Sequence, residues 1–436
     1  MKKNLLLKKI NKTVSCLLTA GLLAASAGCG VLDAIPSGMG PATTTSGTAA
    51  GTNVTNETTG YEAPVVEEIS VEETAAAAAT EEAKVDFYTI TGVDAAGLET
   101  VKAAQEGLYA YSVMDESLHN LYAELVTIIE DEAEGVKIST KDPEELKYVF
   151  QCVFNDHPEY YWIDGYSYVK HESNGQTIYL TFSGKYIYTN DERRVNQVSI
   201  DSYVSTCLAG ISSAASDYEK VKYVYDYIVN HTEYDLAAPD NQNILSVFLY
   251  GKSVCQGYAK AMQYLLGKLG VSCTMCVGTV ITGEGHAWNL VNIDGAYYYT
   301  DVTWGDATYL FDQQAMTGAG SDVVNYDYLN ITTDELLKTH TIDNVVPMPA
   351  CAATAANYYV KENLYFTSAD LDQVGTAFVN AAARGDEAVT LKCSDYSVFS
   401  ELYDALITNQ KIFDYLSGDN VSYSMSEDTY SFIFWL

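Results

Sequence analysis

A predicted β-hairpin around residue 294 constrains the fold of this chain more than any other feature of its sequence. Two apolar runs flank Asp294 and Gly295, and an Asp-Gly pair between such runs is a strong signal for a two-residue hairpin turn. A turn of this length pairs Ile293 with Ala296. The side-chain period of a strand is two residues, so this one pairing fixes the register of both strands.

The predicted register brings a histidine and an aspartate together. Counting back from the turn places Trp288 opposite Asp301 and His286 opposite Thr303. Side chains alternate along a strand, so these residues share one face, and His286 and Asp301 become diagonal neighbours about 7 Å apart at the backbone. We predict a His–Asp pair on the face that points away from the core. A solvated polar pair on an edge hairpin is the alternative.

A cysteine stands at the start of a predicted helix that precedes the hairpin. Apolar residues at helical spacing predict a helix from about residue 254 to 269, which Gly270 ends. Ser253 is placed to cap this helix, and Gln256 to close a capping box. Cys255 would then lie in the first turn, where the helix dipole favours a reactive thiolate. Taken alone, the same pattern also fits an inert core cysteine.

These elements together resemble the transglutaminase-like superfamily, in its bacterial exported branch. The resemblance rests on three stretches in a fixed order, and it covers about residues 216–306. The stretches are Gly251–Ala259 around the cysteine, Gly283–Trp288 around the histidine, and Tyr299–Trp304 around the aspartate. The resemblance implies an α+β, papain-like core in which a cysteine at a helix N-terminus packs on an antiparallel sheet.

The resemblance also implies a reaction and assigns its residues. Cys255 would attack as the nucleophile, His286 would move the proton, and Asp301 would orient the imidazole. The backbone N–H of Cys255 is the expected first oxyanion donor. The resemblance favours a second donor at Gln242, and the rivals are Tyr234 and Gln256. The expected neighbours of the substrate site are Gln256, Trp288 and Trp304.

Two functions of different classes follow from this site. The first is cysteine-dependent acyl transfer on amide bonds through a thioester, with peptidase or amidase activity placed ahead of transglutaminase activity. Its substrate would be a protein or a cell-wall peptide. The second is a catalytically silent surface module that binds protein or cell-wall glycan. A complete set of nucleophile, base and orienting acid favours the enzyme.

The N-terminus predicts export. A basic segment precedes the apolar run from Val14 to Ala25, which is typical of a signal peptide and too short for a permanent span. The run ends before Cys29 in a pattern that resembles a bacterial lipoprotein cleavage site. We predict a signal peptide over residues 1–28 and lipidation of Cys29 on the outer face of the cytoplasmic membrane. Ordinary cleavage and secretion is the alternative.

Composition divides the remainder of the chain. Residues 29–84 are rich in Thr, Ala, Gly and Glu, and we predict a disordered tether because so little apolar surface can be buried there. Residues 85–200 predict an N-terminal α+β region, and 201–344 the transglutaminase-like catalytic domain. Residues 357–436 alternate short strands and helices, which predicts a small accessory α+β domain.

The charge balance excludes several partners. The chain has a formal net charge of −34, with 58 acidic and 24 basic residues. Such a surface repels phosphate backbones and anionic lipid, so we expect no nucleic-acid binding and contact with the membrane only through the lipid anchor.

We also predict no metal and no cofactor. Asp306 and Asp312 lack the dense alternating acids of a calcium loop. The CxxC pair Cys273 and Cys276 lies in an apolar strand-like run and predicts buried core thiols, with zinc binding or redox work as the alternative. The remaining histidines predict isolated surface or capping roles: His119, His157, His171, His231 and His340.

The predicted anchor can be tested directly. Cys29→Ala should move the protein from the membrane fraction to the soluble fraction, because the only acyl attachment point would be lost. Cys16→Ala, which alters a cysteine inside the predicted signal peptide, should leave membrane retention unchanged. Membrane retention of Cys29→Ala equal to that of the wild type would contradict the lipoprotein prediction.

Overall fold

The computed structural model describes most of the chain. The described residues are 13–19, 60–72, 82, 84–306, 323–416 and 420–436. The predicted lipidation site Cys29 lies outside them, as does most of the predicted signal peptide. No helix among the described residues is both long and apolar enough to cross a membrane.

The strands of the described residues form four sheets. In chain order they are β1 (Thr13–Thr19), β2 (Val65–Glu72), β3 (Val136–Lys137), β4 (Ile163–Ser173), β5 (Gln176–Tyr186), β6 (Glu233–Tyr234), β7 (Lys252–Ser253), β8 (Cys273–Val280), β9 (Gly285–Ile293), β10 (Ala296–Thr300), β11 (His340–Ile342), β12 (Tyr365–Phe366), β13 (Ala388–Cys393), β14 (Asn420–Ser426) and β15 (Ser431–Trp435). The sheet orders are β2-β4-β5-β3, β6-β7, β10-β9-β8-β11 and β1-β14-β15-β13-β12.

The α-helices lie between and against these sheets. In chain order they are α1 (Phe87–Thr91), α2 (Ala95–Ala104), α3 (Tyr109–Val113), α4 (His119–Asp131), α5 (Pro143–Asp156), α6 (Asn190–Leu208), α7 (Asp217–His231), α8 (Cys255–Lys268), α9 (Thr333–Leu336), α10 (Tyr358–Lys361), α11 (Leu371–Arg384) and α12 (Tyr396–Tyr403). Buried side chains from the N-terminal, central and C-terminal parts belong to one hydrophobic cluster.

The central sheet confirms the hairpin register predicted from the sequence. Ala296 pairs with Ile293, and the antiparallel pairing continues to Thr300. Asp294 and Gly295 both have positive φ, 51° and 85°, as a type I′ turn requires. Strand β10 ends at Thr300, so Asp301 lies directly after its last residue, where its side chain meets the strand that carries His286.

The prediction that the His–Asp pair faces away from the core is wrong. His286 is only 3% exposed and Asp301 only 1%. One face of β9 packs on helix α8, and Asn289 donates a hydrogen bond to the carbonyl of Ala259 at 2.9 Å. The other face is covered by residues that lie after the hairpin in sequence, among them His340. Both faces are therefore core, and the pair is buried in a low-dielectric environment.

The predicted tether is wrong for residues 60–72. This stretch contains strand β2, which pairs in parallel with β4 over its whole length, from Val65 with Gly165 to Glu72 with Glu172. The segment adds no core of its own, since the side chains of β2 are exposed. It is ordered because the edge of an existing sheet supplies its backbone hydrogen-bond partners.

The C-terminal residues build an α+β unit. Helices α11 and α12 accompany a sheet in which β13 and β15 run antiparallel. Strand β1, inside the predicted signal peptide, occupies the edge of this sheet beside β14. Removal of the signal peptide would leave the other four strands in register, because an edge strand pairs with one neighbour only.

A buried carboxylate ties this C-terminal unit to the central domain. Asp327 accepts hydrogen bonds from Tyr359 at 2.9 Å, Thr429 at 2.7 Å and Ser431 at 2.5 Å. Its carboxylate also lies 3.6 Å from the ammonium of Lys392, which is equally buried. The Asp327 side chain therefore satisfies polar groups from a helix, a turn and two strands of the unit.

Asp327→Ala should destabilise the protein strongly. Removal of one partner leaves the Lys392 charge buried and unpaired, a change that costs about 3–5 kcal/mol. Chemical denaturation should show this loss, whereas Asp334→Ala, at an exposed position of α9, should change the free energy of unfolding by no more than about 0.5 kcal/mol. Equal stability of the two variants would show that the carboxylate does not hold the C-terminal unit in place.

Candidate active site

Cys255 is the first residue of helix α8, as predicted, but its cap differs from the prediction. Val254 is the N-cap residue, and no side chain caps the helix. The Ser253 hydroxyl instead lies 2.6 Å from the Ser246 hydroxyl and donates to the carbonyl of Asn241 at 3.2 Å. The predicted capping box between Ser253 and Gln256 is therefore wrong, because Ser253 belongs to strand β7 and its side chain points back into the preceding loop.

Gly257, in the first turn of the helix, supports this arrangement. A Cβ atom at Gly257 would lie 2.0 Å from the Ser253 hydroxyl and 2.7 Å from that of Ser246. The glycine therefore makes room for the two serines. The backbone N–H groups of the first turn have no partner within the helix, so Cys255 lies at the positive end of α8.

His286 joins the cysteine to the aspartate. Its Nε2 lies 2.7 Å from Oδ2 of Asp301, and its side chain also hydrogen-bonds Cys255. The Asp301 contact uses Nε2, which leaves Nδ1 as the ring nitrogen that faces the sulfur. Helix α8, strand β9 and the end of strand β10 thus contribute one group each to a continuous hydrogen-bonded chain.

Asp301 is held by four hydrogen bonds. Oδ1 accepts from the backbone N–H of Thr303 at 3.0 Å and of Trp304 at 3.2 Å. Oδ2 lies 2.7 Å from His286 and 3.2 Å from Nε2 of His340. A carboxylate with every oxygen satisfied has a fixed orientation, so it can hold the His286 ring in one plane.

His340 is the residue that the sequence prediction missed. We expected an isolated surface or capping histidine, but its side chain is fully buried. Nδ1 lies 2.9 Å from the Thr339 hydroxyl, and Nε2 faces Asp301. Its position in strand β11, which pairs with β8 through Val280, brings it to the site. No motif surrounds it, and only the position of this short strand reveals its role.

His286 and His340 differ in the direction in which their pKa values are shifted. Burial disfavours a charged His286 ring, but the charges of Asp301 and of the Cys255 sulfur outweigh burial and raise the pKa of His286 to about 10. Burial dominates at His340 and lowers its pKa. Burial also opposes ionisation of Asp301, yet the His286 charge and the imidazole hydrogen bonds hold its pKa well below the usual range. At neutral pH the arrangement is a carboxylate between one imidazolium and one neutral imidazole.

The two tryptophans that the sequence placed near the site do contact His286. Trp288 is fully buried, and its ring lies 6.0 Å from the His286 ring at an interplanar angle of 23°. Trp304 lies 5.9 Å away and also packs 4.6 Å from His340. The aromatic rings exclude water from the imidazoles, which strengthens their interaction with Asp301.

The three polar candidates for oxyanion stabilisation gather around residues 60–62. Gln242 and Gln256 both accept a hydrogen bond from the backbone N–H of Glu62, at 3.1 and 3.4 Å. A Cβ atom at Gly60 would lie 2.6 Å from the Tyr234 hydroxyl and 3.0 Å from the Cys255 sulfur. The Tyr234 hydroxyl and the Cys255 sulfur therefore both border Gly60. The Nε2 atom of Gln242, the atom required of an oxyanion donor, donates to Asn241 at 3.2 Å.

The same side chains offer donor atoms of the kind that metals use. Ring nitrogens of His286 and His340 and a carboxylate oxygen of Asp301 all lie within 4.8 Å of one another. In the structure each ring directs its Nε2 at the same carboxylate oxygen. Direct hydrogen bonds thus account for the cluster.

The CxxC cysteines differ from Cys255 in their surroundings. Burial raises the pKa of both Cys273 and Cys276 far above the ordinary thiol value. The Cys276 thiol faces the sulfur of Met348 at 3.6 Å. Both thiols are therefore protonated at neutral pH. Cys276 is buried as predicted, whereas Cys273 is only partly buried.

Sequence comparison connects the central part of the chain to known proteins. Residues 205–302 match the family model of the Transglutaminase-like superfamily, a range that contains Cys255, His286 and Asp301. The kyphoscoliosis peptidase of Mus musculus is 28% identical over 127 residues, which are 25% of this chain and 19% of the relative. The kyphoscoliosis peptidase of Homo sapiens is 30% identical over 122 residues, which are 24% of this chain and 18% of the relative.

The match supports a transglutaminase-like, mixed helix-and-sheet fold for this central part. The chain spans less than a fifth of the length of these curated relatives. A crystal structure of a TGase superimposes with a TM-score of 0.24 at 18% identity, over 32% of this chain and 44% of the other. A TM-score this low carries no argument about function.

The raised pKa of His286 predicts a pH-dependent contribution to stability. An unfolded histidine titrates near about 6.5, and folded His286 near about 10. The contribution is therefore fully present below the unfolded pKa and is lost as the pH rises toward the folded pKa. The difference in free energy of unfolding between the wild type and His286→Gln should shrink from pH 6.5 to pH 10, measured by chemical denaturation.

A matched variant controls for general effects of pH. Asn230→Gln replaces an exposed residue of α7 that does not titrate, and its stability difference from the wild type should stay constant over the same range. A difference for His286→Gln that is constant or grows with pH would contradict the proposed charge state.

Proposed function

We propose that this protein is a cysteine-dependent acyl transferase acting on amide bonds, with hydrolysis ahead of transamidation. The observation that supports it most is the hydrogen-bonded chain from Cys255 through His286 to Asp301, buried at the N-terminus of α8. The match of residues 205–302 to the transglutaminase-like superfamily supports the same chemistry.

The first half-reaction would form a thioester. The Cys255 sulfur attacks the carbonyl carbon of the substrate amide, and a new C–S bond forms. The imidazolium of His286 then gives its proton to the leaving nitrogen as the C–N bond breaks. Asp301 holds the ring in plane and balances its positive charge, without itself taking up a proton.

The tetrahedral intermediate needs hydrogen-bond donors for its oxyanion. The backbone N–H of Cys255 lies in the unpaired first turn of α8 and is the natural first donor. The Tyr234 hydroxyl and the sulfur both border Gly60, so this hydroxyl is a candidate second donor. Gln242 is a rival donor, because its Nε2 atom carries two hydrogens and only one of them is directed at Asn241 in this structure.

The second half-reaction would decide between the possible activities. Water attacking the thioester gives a peptidase or amidase, and an amine gives a transglutaminase. His286 accepts the proton of either attacking group as the C–S bond breaks. The curated relatives are named peptidases, which supports water as the acceptor and protein or wall peptide as the substrate.

A silent binding module is the second candidate. One observation favours it: Cys255 is completely buried, so no substrate reaches the sulfur in this conformation. In such a module the three residues would be retained for packing, and the surface would bind protein or cell-wall glycan. The two candidates differ in whether Cys255 ever forms a covalent bond with a substrate.

We place this activity at the cell surface. The predicted signal peptide and the lipidation of Cys29 would anchor the chain to the outer face of the cytoplasmic membrane. The net charge of −34 supports contact with the membrane through the anchor alone.

Three substitutions test the assigned roles. Turnover, measured with a labelled-amine screen and a peptide library, should be abolished by Cys255→Ala, because the thioester cannot form. His286→Ala should lose several orders of magnitude, since the proton carrier and the partner of the sulfur disappear together. Asp301→Asn should be less severe, because both reacting groups remain.

Cys273→Ala serves as the matched cysteine control and should keep full turnover. Turnover in Cys255→Ala equal to that of the wild type would defeat the mechanism. Absence of turnover in every protein tested, with Cys255 accessible to alkylation, would support the silent module instead.

A further inference from the structure

Residues 60–72 run along the edge of strand β4 and end beside the candidate nucleophile. We call the surface that they cover the groove. Strand β2 lies along the exposed edge of β4 in parallel register, and the residues before it continue to Cys255. The segment comes from a part of the chain about 190 residues away from the cysteine in sequence. Its position therefore results from docking onto a surface that the remainder of the protein forms.

Gly60 lies close to the Cys255 sulfur, and only glycine fits at this position. A Cβ atom at Gly60 would lie 3.0 Å from the Cys255 sulfur and 2.6 Å from the Tyr234 hydroxyl. Any side chain at Gly60 would have to displace one of these groups. The bare backbone of Gly60 thus covers the sulfur at the place where a substrate carbonyl would have to approach.

The next two residues make contacts of the kind that a bound peptide makes. Tyr61 is partly buried against the hydrophobic core, and its backbone carbonyl would lie 3.6 Å from a Cβ atom at Gly285, which precedes the candidate base. The N–H of Glu62 donates to the side-chain carbonyls of both Gln242 and Gln256. Aromatic burial and backbone hydrogen bonds together anchor this end of the segment.

The other end of the segment, strand β2, pairs with the edge strand β4. Glu68 pairs with Lys170 at 3.2 Å, and Tyr168 also donates a hydrogen bond to Glu68. Gly165 permits the approach, because a Cβ atom there would lie 2.1 Å from the carbonyl oxygen of Val65. Strand addition of this type binds peptides mainly through the backbone and selects side chains at separate pockets.

We propose that this groove is a binding site for extended peptides that carry an aromatic side chain, and that residues 60–72 are its intramolecular occupant. The inference rests on the proposed function for the identity of the substrate, but the covering of Cys255 does not. A free peptide would compete for the same backbone partners on β4 and for the Tyr61 position. The segment must leave before any substrate reaches the sulfur.

Only weak contacts hold residues 65–72 on the sheet edge, so a ligand can displace them. The side chains of β2 are exposed on both faces, so little apolar surface holds it in place. The ion pairs of its glutamates lie at the surface, where each contributes about 0–1 kcal/mol. Its attachment to the chain keeps the local concentration high, which compensates for weak contacts and lets a tight peptide ligand replace it.

Two substitutions release the segment from opposite sides in the full chain. Gly165→Ala pushes Val65 off the edge of β4, and Tyr61→Ala removes the anchoring ring. Alkylation of Cys255 by iodoacetamide at pH 7, located by peptide mass spectrometry, should be at least tenfold faster in both variants than in the wild type. Tyr396→Ala, a 58% exposed tyrosine of α12, should react at the wild-type rate.

A synthetic peptide of residues 58–72 then tests the ligand class. Added to the Tyr61→Ala protein, it should slow alkylation again, and the same peptide with alanine in place of its tyrosine should not. Alkylation at the wild-type rate in both variants would overturn the proposal, as would equal protection by the two peptides.

The outcomes separate the proposal from the proposed function. Faster alkylation in both variants without any turnover of amides supports the occupied groove and counts against the enzyme. Turnover that depends on Cys255, with the same alkylation rate in all proteins, supports the enzyme and overturns the groove.

Discussion

The carboxylate of Asp301 is the interaction on which the site depends. It is buried, and an isolated buried charge would cost far more than a folded protein can tolerate. Four donors remove that cost: two backbone N–H groups and two imidazoles. The bond to His286 fixes the plane of that ring and, together with the Cys255 sulfur, sets its charge, while the other three bonds hold the carboxylate in place. The buried Asp301 carboxylate therefore determines the packing, the charges and the geometry of this site.

Much of this arrangement could be predicted from local sequence rules. The Asp294-Gly295 turn fixes a register by counting, and the register brings His286 to Asp301. Helical periodicity also locates α8, with Cys255 as its first residue. These features depend on residues a few positions apart, and the physical chemistry of turns and caps applies before the remainder of the chain is considered.

What could not be predicted depends on contacts between distant segments. His340 reaches Asp301 only because β11 joins the sheet beside β8. Residues 60–72 lack a core of their own, although the β-branched residues Val65, Ile69 and Val71 could have indicated a strand within the tether. The predicted cap by Ser253 was wrong for the same reason. Its hydroxyl hydrogen-bonds residues of the preceding loop, and no local sequence pattern predicts that contact.

The central claim is that Cys255 forms a covalent acyl intermediate with help from His286. Intact-mass spectrometry of the Tyr61→Ala protein, quenched soon after mixing with an aromatic p-nitrophenyl ester, tests it most directly. We expect one added acyl group, located on Cys255, released by hydroxylamine, and formed far more slowly when His286 is also replaced by alanine. An adduct on another residue, or one that forms equally fast without His286, would contradict it.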